Sequence, residues 1–189
     1  MNQRHLFRHL AAILGLLGTS VSFAGDGTVN FSGVFSQTTC SVTTQNVSAS
    51  FGKSVNMSAF GAAGTTSDWG PDFTISLDCA GSSSNVRMVF SDTTTPANRS
   101  STLTLTPASS ATGIGIQFWQ SRSALNSRQY SFGPDSSASN TTNQFQVYQA
   151  NGNATQKVDL VFSWRYVRTT APIKPGSANG KATFTMSYQ

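Results

Sequence analysis

Apolar residues in this chain recur at every second position, run after run, and a period of two marks a half-buried β-strand rather than a helix. Phe73, Ile75, Leu77 and Cys79 share one parity; so do Val86, Met88 and Phe90, then Leu103 and Leu105, Ile114, Ile116 and Phe118, and Phe145 and Val147. The longest run is Val158, Leu160, Phe162, Trp164 and Tyr166, and the last is Ala182, Phe184, Met186 and Tyr188. An earlier run, Val29, Phe31, Gly33 and Phe35, carries a glycine in its middle. Between the runs, at 61–70, 80–85, 93–101, 133–143 and 171–180, lie clusters of small, polar and turn-forming residues. No stretch has a helical period of useful length. Many short alternating strands joined by polar turns predict an all-β chain, an antiparallel immunoglobulin-like sandwich with a barrel as the alternative.

Residues 1–24 read as a secretory signal peptide: Arg4 and Arg8 supply the positive start, the stretch 10–17 a short apolar run, and Ser22 and Ala24 the small residues before Gly25. No later segment approaches the roughly 20 apolar residues of a membrane helix. Removing 24 of the 189 residues leaves 165, and removing two of the twelve cationic residues against seven aspartates leaves a net charge of +3. That excess is spread singly and forms no basic patch for nucleic acid.

The leader also takes both histidines, His5 and His9, so the exported chain has neither histidine nor glutamate. General acid–base chemistry, catalytic triads and ordinary zinc sites draw on those residues, so catalysis is poorly supplied and no cofactor or metal is expected. An Asp-based hydrolase using Asp68 and Asp72 is the residual enzymatic reading, but these two flank Gly70-Pro71 as turn residues do. Cys40 and Cys79 are the two cysteines, and in an exported chain they read as a disulfide. Closing a loop of that length stabilises a fold by roughly 4 kcal/mol on the chain-entropy account. Trp69, Trp119 and Tyr130 are the candidate stacking residues if the chain were instead a secreted sugar-binding module.

The two ends of the exported chain belong together. Residues 25–36 form an alternating arm ahead of Cys40, and the chain closes in the middle of an alternating strand with no polar tail. Strand donation between subunits requires such a pair. On GTVNFSGVF at 27–35, Cys40-Ser-Val, FTISLDC at 73–79, GIGIQ at 113–117 and ATFTMSYQ at 182–189, the chain resembles the chaperone-usher pilins, in particular subunits of type 1-like fimbriae. The closing pattern is the most specific part: an aromatic residue second from the end, Tyr188, and a glycine fourteenth from the end, Gly176.

The resemblance implies an incomplete immunoglobulin-like sandwich over 37–189 that lacks its last strand and is completed by a donated one. The donor face would be Val29, Phe31, Gly33 and Phe35 of the arm 25–36, with Gly33 passing a shallow part of the groove. The groove strand would carry Phe184, Met186 and Tyr188, with Gly176 ahead of it. Implied partners are a periplasmic chaperone, an outer-membrane usher and neighbouring pilin subunits, with a host glycan or other receptor as an optional one; the destination is the fimbria at the cell surface. The length leaves room for one pilin domain without an added receptor-binding domain, in a minor, adaptor or major rod position. Against this stand two plainer readings, 28–35 as an ordinary first strand and 182–188 as the closing edge strand of a complete sandwich. The competing function is a secreted carbohydrate-binding β-sandwich module or adhesin.

Overall fold

The computed structural model describes residues 40–189 other than 45, 53, 83, 121–127 and 150–156, all within the unit Phe35–Gln189. The leader 1–24 and the arm with Val29, Phe31, Gly33 and Phe35 lie outside the described residues. Among those described, the period of two becomes seven strands: β1 Ser41–Val42, β2 Phe73–Asp78, β3 Val86–Asp92, β4 Ile114–Trp119, β5 Phe145–Tyr148, β6 Lys157–Arg168 and β7 Ala182–Tyr188. They form two antiparallel sheets, ordered β1-β2-β6-β4 and β5-β3-β7. A single 3-10 turn, Met57–Ala59, is the one helical element described, capped by the Asn56 side chain accepting from the Ser58 amide.

β6 shows why the alternation reads as it does. Phe162 and Trp164 turn inward and are buried, while Val161, of the opposite parity, is 46% exposed. The inward residues of both sheets meet in one core, where Phe90 is ringed by Phe118, Tyr130, Phe145 and Phe162 with centroids 5.1 to 5.9 Å apart. Such aromatic pairs contribute about 0.5–1.5 kcal/mol each beyond their area burial. The disulfide joins Cys40 to Cys79 inside this core, with both residues essentially inaccessible.

β3 departs from simple alternation. Val89, Ser91 and Asp92 are buried along with Val86, Met88 and Phe90, so the strand is covered on both faces. Its second cover comes from the chain around Gly133, whose amide donates to Phe90 O at 2.8 Å. A Cβ on Gly133 would stand 2.5 Å from Val89 Cγ2 and 2.4 Å from Thr142 O, so glycine is what permits the approach. Asp92, 1% exposed, accepts from the amides of Thr94, Thr95 and Thr104 and from Asn98 Nδ2, at 2.8–3.0 Å. Leu103 and Leu105, expected within a strand, take part instead in isolated bridges to Ile116 and Gly180.

Candidate functional site

β7 is an edge. It pairs along its whole length with β3, from Ala182 opposite Asp92 to Tyr188 opposite Val86, and no strand among the described residues lies against its other side. β1 is the corresponding edge of the other sheet, pairing with β2 alone. An edge of this kind presents backbone donors and acceptors in a row, ready for another strand.

Between those edges the core is incompletely covered. A cavity of about 550 Å³ is walled by Phe73, Phe90, Phe118 and Trp164 from the core, by Ala182, Thr183 and Phe184 of β7, and by Val47, Ala49 and Phe51 from the stretch after β1. Phe73, Phe118, Tyr166 and Phe184 are only partly buried although their chain parity is that of the core. A second cavity of about 520 Å³ continues from it, lined by Met57, Phe60, Ile114, Ile173 and Gly176 among others. Phe51 and Tyr166 line both. The two rings stack, 5.6 Å apart at 23°, and Phe51 meets Trp164 edge-on at 5.4 Å. Tyr166 in turn donates its hydroxyl to Ala178 O at 2.9 Å, and burial pushes its pKa up.

The opposite end of β7 is closed. Met186 is buried, Ser187 accepts from Gln144 Nε2 at 2.7 Å, and Tyr188 donates its hydroxyl to Cys40 O at 2.7 Å. Gln189 extends the ladder, exchanging both backbone bonds with Asn85. Of the expected groove residues, then, Gly176 and Phe184 stand on cavity walls, whereas Met186 and Tyr188 seal the far end. A Cβ on Gly176 would lie 2.5 Å from the Ala111 amide nitrogen and 2.4 Å from Ser110 Oγ, so this cavity wall admits no side chain there without a backbone shift.

Residue reasoning missed Val47, Ala49 and Phe51, although they alternate as a strand would; the surrounding Ser and Asn residues hide the pattern. Of the three candidate stacking residues, Tyr130 is buried at 4% exposure against Phe145, with centroids 4.0 Å apart. Burial pushes its pKa up to about 12 against the opposing influence of Arg128. Trp69 and Trp119 do come together, edge to face at 5.9 Å, on the face of the four-stranded sheet turned away from the core. Asp72 is tied into the fold by accepting from Ser163 Oγ at 2.7 Å. This arrangement has the means to bind an extended strand, through a backbone edge beside an apolar trough.

The profile of the family described as Fimbrial protein matches residues 29–189. The F17c-G and F17a-G fimbrial adhesins of Escherichia coli are each 39% identical to the chain over 127 residues, 67% of this chain and 33% of theirs. The chain thus spans about a third of the length of these curated relatives. Among solved structures, the CupB6 tip adhesin from Pseudomonas aeruginosa superposes with a TM-score of 0.52 at 25% identity, over 70% of this chain and 33% of that one. The P pilus rod subunit PapA gives a TM-score of 0.48 at 18% identity, over 86% of this chain and all of that one.

Proposed function

The chain belongs to the fimbrial protein family, and on that premise we propose that it polymerises by accepting a donated strand along the free edge of β7 and donating its own arm to another subunit. Family membership makes it a structural component of a surface fimbria, in contact with neighbouring subunits. The observation that carries the assembly reading is the coincidence of an unpaired sheet edge with a trough of half-buried aromatics directly beside it.

The physics is that of β-augmentation. Main-chain hydrogen bonds to β7 supply affinity, and alternate side chains of the incoming strand enter the trough and fix its register. Val29, Phe31 and Phe35 of the arm 25–36 have the parity for such pockets, and Gly33 suits a shallow one. An uncapped groove leaves apolar surface exposed, which is hazardous before assembly. The reading therefore includes export under the leader 1–24, a periplasmic chaperone that caps the groove, and an outer-membrane usher where the exchange takes place.

The test is capture. The exported chain is co-expressed with a periplasmic pilus chaperone and the periplasmic extract is resolved by native mass spectrometry. A one-to-one complex that gives way to a subunit–subunit complex when a second subunit and the usher are supplied is the expected result. A chain that is stable and monomeric without chaperone, and takes up no strand, overturns the proposal.

A further inference from the structure

The outward face of the four-stranded sheet carries a row of side chains that the groove does not use. Arg165 of β6 places its guanidinium carbon 4.6 Å from the ring centroid of Trp69 and 4.8 Å from that of Trp119 on β4. Gln117 of β4 lies opposite Arg165 in the ladder. All four residues are half-buried. The backbone holds the row in place, because Gly70 N donates to Trp164 O and Ser67 N to Tyr166 O, bringing the Trp69 segment alongside β6.

Two features of this row call for an occupant. Arg165 Nε, Gln117 Oε1 and Trp119 Nε1 are buried without a hydrogen-bond partner, and buried polar atoms are normally satisfied. The guanidinium is also held partly out of water, which lowers its pKa, and among the described residues no ion pair to a carboxylate is made by it. Asp72, just ahead of β2, accepts from Ser163, two residues along β6 from Arg165. A cation kept between indole rings and left unneutralised is complementary to an anion.

The size of the patch narrows the class. A protein partner needs roughly 800 Å² on each side. Among the described residues, the one large apolar side chain exposed on the rest of this sheet face is Val161. Indole rings suit the C–H face of a sugar ring, and a guanidinium fork suits a carboxylate. We propose that Trp69, Arg165 and Trp119 form a binding site for a carboxylated sugar residue, the guanidinium taking the carboxylate and the indoles the ring.

The experiment uses the full exported chain in its chaperone-capped complex, titrated with 3′-sialyllactose, with a galacturonic acid trimer and with neutral lactose, read by ligand-observed saturation-transfer NMR and by tryptophan fluorescence. Saturable binding of at least one acidic probe is expected, at least tenfold tighter than lactose, and weakened at least tenfold by Arg165→Gln and by Trp119→Ala. Arg165→Lys and Trp69→Phe, which preserve charge and packing, should fall between and keep the near-ultraviolet circular dichroism of the parent. No saturable binding of either acidic probe overturns the proposal, as does binding indifferent to Arg165→Gln or equal for lactose. Absence of sugar binding together with photo-crosslinking from position 119 to a second subunit would reassign the row to a protein contact. None of these readouts depends on strand uptake, so the site stands or falls apart from the assembly mechanism.

Discussion

The hydroxyl of Tyr188, at the end of β7, donates a 2.7 Å hydrogen bond to the carbonyl oxygen of Cys40, whose sulfur is joined to Cys79. That contact links the edge strand of one sheet to the chain entering the edge strand of the other. It closes the sandwich at one end, so the trough beside β7 opens at the Ala182 end, where Phe184 and Phe51 face it. The Tyr188 side chain thus ties the two sheet edges together at that end.

Tyr188→Phe should lower stability by about 1 kcal/mol, the usual net contribution of one hydrogen bond. Tyr188→Ala should cost about 3 kcal/mol or more through lost packing, since the ring packs against the core. Urea unfolding of the strand-complemented subunit separates the two, and equal stability for parent and Tyr188→Phe would remove the strut from the account.

The disulfide predicts a larger effect. Replacing Cys40 and Cys79 together by Ser should cost roughly 4 kcal/mol and reduce the yield of chaperone complex several-fold. Mass spectrometry of the native chain under non-reducing conditions should find the protein two hydrogens lighter than the free dithiol.

Asp92 gives the acid response. Desolvation pushes its pKa up, but the donors Asn98, Thr104 and Thr95 outweigh it, and the carboxyl sits below the ordinary value of 3.8. A folded pKa below the unfolded one contributes stability that is present above pH 3.8 and is lost as pH falls through the lower value. Asp92→Asn should remove that acid dependence and cost about 3 kcal/mol at neutral pH, because an amide group would face donors. Unfolding followed from pH 7 down to pH 2 measures both.

Gly176→Leu should disrupt the second cavity, since even a Cβ there meets the Ala111 backbone nitrogen at 2.5 Å. A several-fold loss of chaperone complex is expected, with Gly176→Ala smaller in effect. Unchanged recovery of complex from the Leu variant would show that the cavity wall yields without consequence.

Much of the fold was legible because parity is a local property: Phe162 and Trp164 face inward in the sequence pattern and in the structure alike. What escaped was set by distant chain. Val89 is buried by the stretch around Gly133, which periodicity within β3 does not reveal. Phe51 became a groove wall through stacking on Tyr166, more than a hundred residues away. Trp69 and Trp119 were visible as candidates, yet Arg165 between them depends on the register of β4 against β6, which no local pattern encodes. The arm was read by resemblance as well as alternation, and its residues lie outside those described.

The most direct measurement is the thermal midpoint of the chain lacking 25–36, released from its chaperone, with and without peptides corresponding to this arm and to the arms of neighbouring subunits. The account predicts that the armless chain still folds with its chaperone, because the arm adds nothing to its own core. At least one arm peptide should then raise the midpoint in a concentration-dependent way, since binding to the folded state alone stabilises it. The same peptide with a bulky residue at its central glycine, Gly33 in this chain, should do so less. An armless chain that cannot fold even with chaperone, or one whose midpoint no arm peptide shifts, would contradict strand acceptance along β7.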